Sequence, residues 1–522
     1  MSLLVDVFPH ACGNRLSPGR LEPKRLWETA KLAADPFASP QLALGDDAVA
    51  RIREGSDFIE RVLASGDRVV YGVNTGFGHF AERRVPANLL GELQRNLIVS
   101  HACGVGDAVP REMVLAMWLL RLHTFTKGHS GISLETVEAI LKLLNAGVLG
   151  VVPSRGSVGA SGDLAAAAHA SLVLLGEAKC SRPGHNGSAF ELVDASRALA
   201  DLGLAPLALR PKEGLSLING GHFTAALATR AWYEARKLLR TSNLAAAMSM
   251  EATGGAGSIL EETVLATHHP HTHRAGREMA GWLEGSRFLH GARDEKRFFQ
   301  APYCLRCAPQ VHGAVAAELD GVENTLRDDY ETISDNPLVF PETEEIHSCG
   351  NFHAIYAARA SDKLASAITT LGNISERRTN MAMDERLSGL PPFLIRNGGL
   401  NSGLMMVQVT AAALVSECKS LCFPASVDSI PTNCDREDHV SMGPIAGHKA
   451  LAIMEHVRNI LAIELLVAAQ ALDLRESKVQ MPPAIRRAHA RVRQHVAFLS
   501  HDRVLSPDIA AINRLIDQEA LF

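Results

Sequence analysis

Residues 153–178 read PSRGSVGASGDLAAAAHASLVLLGEA, from Pro153 to Ala178. Gly156, Gly159 and Gly162 punctuate the first half. A run of Ala, Leu, Val and Ser follows and closes at Gly176, a good helix-forming sequence with a glycine stop. The stretch predicts a tight glycine-rich bend feeding a buried helix that starts near Asp163.

Three readings compete for Ala160-Ser161-Gly162. The first is a flexible loop before a helix, with Ser161 or Asp163 as N-cap. The second is a serine nucleophile on a strand-to-helix elbow, which wants Gly-x-Ser-x-Gly. Here the glycine follows the serine directly, so that pattern fails. The third is backbone chemistry. A glycine nitrogen with no Cβ beside it can bend back onto the carbonyl two residues earlier. Gly162 N closing on the Ala160 carbonyl makes a five-membered ring. Loss of water, including the Ser161 hydroxyl, leaves 4-methylidene-imidazol-5-one (MIO), an electrophile made from the chain itself. A helix starting at Asp163 would place its positive dipole end beside that ring.

The totals narrow the classes. At 522 residues and 47% hydrophobic content, the chain can build a large core and two or three domains. A net charge of -5 makes no electrostatic case for nucleic acid or an anionic membrane. MSLLVDVFPHACGN lacks a basic region and an apolar core, so no signal peptide is read there. Glu464 interrupts the best apolar run, Ile460 to Ala471, which is short of a membrane span. Nine scattered cysteines fit reduced thiols in a cytoplasmic protein. Cys304/Cys307 and Cys418/Cys422 read as structural thiols despite their metal-like spacing. The cluster His268, His269, His271 and His273 reads as a solvated loop broken by Pro and Gly. No metal is expected.

The remaining pattern is helical. Helices are predicted over about 45–65, 87–101, 111–126 and 133–146, with an irregular excursion or hairpin over 179–200. PKEGLSLINGGHF opens a helical block to about Met250. Long helices follow over 357–388, 401–422 and 444–473; in the last, Leu451, Met454, Val457, Leu461 and Leu465 recur every three to four residues. Such Ala-rich helices suggest a bundle partly covered by partner chains. The division read from the sequence is 1–205, an N-terminal domain carrying the ring precursor, then 206–475, the long-helix bundle, then 476–522, a C-terminal helical segment.

The letters around the tripeptide resemble the signature of the histidine and aromatic amino-acid ammonia-lyases. YGVNTGFG, LQRNLIVSHACGVG, GSVGASGDL, PKEGLSLING, PYCLRCAPQVHGA, SDNPLVF, GNFH, GLNSGLMMVQVTAAAL, SVDSIPT and REDHVSM all resemble family blocks, in family order. The Ser100-His101 pair and EDHVSM are most similar to the histidine-specific branch. The resemblance implies a mainly α, histidase/fumarase-like fold and an MIO ring from Ala160, Ser161 and Gly162 with no external cofactor. It implies a homotetramer that eliminates ammonia from L-histidine to give trans-urocanate. The alternative is a phenylalanine or tyrosine ammonia-lyase, or an aromatic amino-acid 2,3-aminomutase.

The resemblance also assigns roles. Tyr71 would be the base for the β-proton. A free phenol titrates near pH 10, so positive charge or hydrogen bonds must tune it down. Asn219 and Gln300 would polarise the ring carbonyl or hold the substrate carboxylate, and Tyr303 would be a second catalytic tyrosine. Arg306 offers a planar fork for the carboxylate. Phe352 would pack beside the electrophile. Glu437 and His101 would face the substrate imidazole. His222 stands where the family usually has Gln and would shape the pocket; Ser133, Ala166, Ala301 and Cys304 also depart from the usual pattern. Taken singly, Tyr71 reads as a buried loop tyrosine, Phe352 as plain core and Glu437 as part of a solvated charge run.

Overall fold

The run Met113–Phe125 is apolar almost without interruption and is buried on every side in the helix Arg111–Phe125. A helix that is apolar all round has to be enclosed by others, and much of the chain follows that rule. The computed structural model describes residues 15–35, 41–66, 68–184, 189–255, 257–287, 300–475 and 480–522. The fold is mainly α.

Contacts divide the chain into two units. The first comprises Met1–Arg230, Glu323–Ser361 and Pro424–His448; the second comprises Ala231–Val322, Asp362–Phe423 and Lys449–Phe522. The partition read from the sequence was contiguous. The two contact units divide within four long helices, His222–Thr253, Ala308–Glu331, Ile355–Met383 and Gly443–Leu474. Each of these is long enough for its two ends to pack into different clusters.

In the first unit, helices Asp46–Ser65, Leu90–His101, Arg111–Phe125, Leu134–Asn145 and Leu164–Ser171 carry most of the core. Phe58, Ile59, Val62, Val73 and Val339 form one buried cluster. Strands are short. Val105–Ala108 pairs antiparallel with Pro153–Arg155, the segment that leads into the tripeptide. The region predicted as a hairpin or irregular excursion is a hairpin, Lys179–Pro183 against Phe190–Asp194, followed by a helix, Ala195–Asp201. The central bend behaves as its sequence dictates. The helix starts at Leu164, runs through Ser171 into a 3-10 turn, and stops at Gly176, whose φ of 70° is the left-handed cap a glycine adopts freely.

In the second unit, residues 460–472 of the last long helix are buried on all faces. Glu464, buried at its centre, meets Arg378 with Nε–Oε1 at 2.6 Å and Nη2–Oε2 at 2.9 Å. Ser249 and Ser375 also donate to Glu464. The histidine cluster corrects the sequence reading. Pro270 is not a breaker but the first residue of a helix, Pro270–Trp282, with the His269 side chain accepting from His271 N. Proline is tolerated at that position because its missing N–H would be unpaired anyway. His271 and His273 bond Asp320 and Glu262 respectively. Among the described residues no group of His, Cys, Asp or Glu is arranged to hold a metal, and no helix is long and apolar enough to cross a membrane.

Candidate active site

The tripeptide sits in a backbone conformation that ordinary residues avoid. Ser161 has φ 52° and Gly162 φ 84°. For a serine this left-handed conformation costs on the order of 1–2 kcal/mol, so the surroundings must enforce it. They do so through Gly220. Gly220 N donates to Ser161 O at 3.1 Å, and Asp163 N donates to Gly220 O at 3.0 Å. A Cβ on Gly162 would lie 2.2 Å from the Gly220 carbonyl carbon, so only glycine fits. Gly162 N lies outside the helix ladder and makes only a 3.3 Å bond to Gly159 O. A bent chain, no Cβ and a loosely held nitrogen fit the precursor of a backbone ring.

Asp163 follows at the helix start. Its carboxylate does not cap the helix; it accepts from Thr224 N at 2.7 Å and Thr224 Oγ1 at 2.8 Å. Complete burial pushes its pKa up to about 6, against the pull of those bonds and of Arg121.

The Ser161 hydroxyl donates to Glu437 Oε1 at 2.9 Å, and Thr432 Oγ1 donates to the other oxygen, Oε2, at 2.9 Å. Glu437 is therefore not a solvated charge. Its loop is tied by paired backbone bonds between Thr432 and Glu437. Between them Asn433, Cys434 and Asp435 all have positive φ, at 52°, 52° and 63°. Beside the tripeptide opens a cavity of about 840 Å³, lined by Ala160, Glu437, Thr432, Asn433, His101 and Arg83 among others. His101 Nδ1 lies 2.7 Å from Leu97 O. A carbonyl can only accept, so Nδ1 carries a proton, and in the neutral imidazole Nε2 is then the acceptor.

Tyr71 receives a 3.3 Å bond from Gly78 N to its phenol oxygen. The sequence argument asked for a lowered phenol pKa. Instead burial raises it, Gly78 N–H opposes, and the charge of Glu437 adds to the rise.

Asn219 is buried, but both amide hydrogens are engaged, toward Asp335 Oδ1 at 3.3 Å and Asn336 O at 2.9 Å. Its Oδ1 has no partner among the described residues. In this amide orientation it has no free donor for a ring carbonyl. His222 does not line the large cavity. It faces a smaller one with Tyr330, Ser334 and His353, where Nε2 meets Thr124 Oγ1 at 3.0 Å. Burial keeps its pKa well below the usual histidine value, with Arg121 adding to the effect. Phe352 lies half-buried in the turn before Ile355–Met383.

Gln300, Tyr303 and Arg306 belong to the second unit. Gln300 is exposed. Tyr303 is 71% exposed, and the Arg306 guanidinium stacks 4.8 Å over its ring. Thr432 and Arg121 were not singled out from the sequence as site residues. Thr432 closes SVDSIPT, a block that resembles the family's, which was a usable signal; Arg121 lies inside an apolar helix and gave none.

The family model for aromatic amino acid lyases matches residues 26–494. The chain belongs to the aromatic amino acid lyase family. Within that family it is 46% identical to a histidine ammonia-lyase of Symbiobacterium thermophilum, over 89% of this chain and 90% of that one. The structure of a histidine ammonia-lyase from Trypanosoma cruzi superposes with a TM-score of 0.86 at 38% identity, covering 96% of this chain and 92% of that one. A phenylalanine aminomutase of Pantoea agglomerans superposes with a TM-score of 0.88 at 30% identity, covering 96% and 98%. One family fold thus carries lyases and mutases alike.

Proposed function

We propose that this protein eliminates ammonia from L-histidine to give trans-urocanate, using an MIO ring formed from Ala160, Ser161 and Gly162. The observation that carries the reading is Glu437. Its carboxylate touches the tripeptide serine and lines the same cavity as His101. Two hydrogen-bond acceptors beside the ring precursor suit a substrate ring that bears N–H, and a phenyl ring offers them nothing. The MIO ring, once formed, supplies an electrophile for the substrate amine and so improves it as a leaving group.

The chain's own residues do the rest. Tyr71 removes the β-proton. Because burial and Glu437 hold its phenol up, a cation near the assembled site has to offset them. Arg306 takes the substrate carboxylate, with Gln300 and Tyr303 beside it, and Phe352 packs against the reacting centre. Asn219 holds the Asp335–Asn336 segment against the site. His222 shapes the wall of the smaller cavity.

The enzyme works as a homotetramer with each site built from several chains. The helix Met405–Leu421 supports this, since only Val407, Ala411 and Cys418 are buried along it. Met406 is 64% exposed and Phe423 just beyond is 74% exposed. Apolar faces of that size are covered by partner subunits in soluble proteins.

Incubating the pure protein with histidine, phenylalanine and tyrosine, and following product absorbance, tests the reading. Histidine turnover should dominate and vanish in Ser161→Ala. Equal or better turnover of phenylalanine or tyrosine, or a β-amino acid product, overturns it in favour of the aromatic lyase or aminomutase.

A further inference from the structure

Arg121 is 1% exposed. It donates through Nη1 to Ser216 O at 2.7 Å and to Asn219 O at 2.8 Å. Its Nε and Nη2 have no hydrogen-bond partner among the described residues. Among the described residues no carboxylate pairs with it directly; Asp335 and Asp163 act on it through space. Burial lowers its pKa to about 10, which leaves it a cation at neutral pH. A buried cation with unpaired N–H groups is costly, and nothing in the packing of Arg111–Phe125 calls for one. The side chain must serve its acceptors.

Those acceptors lie at the end of the short helix Glu213–Ile218, where Ser216 and Asn219 present carbonyls at the negative end of the helix. Gly220 comes next. The cation thus fixes the one turn whose glycine clamps Ser161 O and Asp163 N on either side of Gly162.

We propose that Arg121 is a positioning residue for formation of the MIO ring: it locks the Asn219–Gly220 turn against the tripeptide so that Gly162 N is pressed toward the Ala160 carbonyl. This rests on the ring reading given above. The chemistry balances within the chain. The Gly162 N–Ala160 C bond forms, and the Ala160 carbonyl oxygen leaves as water with the hydrogens of Gly162 N and Ser161 N, which leaves a C=N bond in the ring. A second water carries away Ser161 Oγ with the hydrogen from its Cα. No oxidant or partner is needed. The Gly220 N–H bond to Ser161 O draws electrons from the Gly162 amide, so the clamp acts through geometry and not by making that nitrogen more nucleophilic.

Arg121→Met keeps an unbranched apolar stem and removes both bonds to the turn. Intact mass of freshly made, folded protein should show the fraction of chains lacking two waters reduced at least tenfold, with circular dichroism and assembly size unchanged. A role in stability alone would move the melting temperature and leave the mass deficit intact. Arg121→Lys, which keeps the charge but has one nitrogen for two acceptors, should restore part of the deficit. A folded Arg121→Met chain with the full two-water deficit overturns the proposal. If Arg121→Met does not fold, Arg121→Lys carries the test, and a wild-type extent of deficit there overturns it equally. A wild-type chain with no deficit would sink the ring itself, a distinguishable result.

Discussion

Arg378 in the second unit and Arg121 in the first are both sealed from solvent, and their surroundings differ in kind. Arg378 presents its fork to Glu464, turns Nη1 to Cys304 O at 3.4 Å, and leaves Glu464 with two serine donors besides. Arg121 has two carbonyls and unpaired N–H groups. The satisfied arginine joins helices of a bundle. The unsatisfied one stands behind a strained tripeptide. Strain and unmet hydrogen bonds are tolerated where a fold serves chemistry, and beside Gly162 and Gly220 this chain carries both: Ser161 at φ 52° and the unpaired N–H groups of Arg121.

The contrast is broken most sharply at Glu464. Glu464→Gln leaves Arg378 a buried charge with no counter-ion, which should cost about 3–5 kcal/mol. Urea unfolding should show a large fall in midpoint, while any protein that stays folded keeps its two-water deficit. Arg121→Met should do the reverse. Should both variants lower stability equally and spare the deficit, the two arginines would be alike and the distinction would fail.

Much of this was legible in the sequence. Apolar residues every three to four positions gave the last long helix, predicted over 444–473 and found at Gly443–Leu474, to within a residue, since burial sets that period, whereas Ala308–Glu331 was not singled out. The Ala-Ser-Gly bend and the Gly176 stop were legible because glycine adopts such angles freely. Glu437 and His101 came from the resemblance, and the structure puts both on the same cavity. Other features were not legible. The amide orientation of Asn219 depends on Asp335, more than a hundred residues away in sequence, and His222 turned out to face a different cavity because Thr124 holds its ring. Pro270 looked like a loop signal, but the same residue starts a helix when its missing N–H falls in the first turn.

The next effect is on specificity. Glu437→Gln replaces an acceptor that the substrate ring needs with a group that can also donate. Losing one hydrogen bond to a buried charged group is worth about 1–3 kcal/mol, so kcat/KM for histidine should fall roughly tenfold to a hundredfold. Any residual phenylalanine turnover should fall far less, because phenyl never used the carboxylate. Steady-state rates on both substrates check this. An equal loss on both would mean that Glu437 matters only through its bond to Ser161, and intact mass would then show an incomplete ring.

The smallest effect concerns pH and the first unit alone. Burial raises Asp163 and Asp329 each to about 6 from 3.8, and the charge of Asp163 further raises Asp329. A raised carboxyl binds its proton more tightly in the folded chain than in the unfolded one. Between about pH 4 and pH 6 the folded state therefore holds more protons, and by linkage its stability falls as pH rises through that window. Asp329 lines the small cavity beside Tyr330. Asp329→Asn removes one of the two titrations and the repulsion between the pair. The drop in unfolding free energy from pH 4 to pH 7 should shrink by about 1–2 kcal/mol, at 1.36 kcal/mol per pKa unit and discounted for relaxation. Urea unfolding at several pH values measures the slope directly. A slope identical to that of the wild type would mean that Asp329 titrates as an ordinary carboxylate.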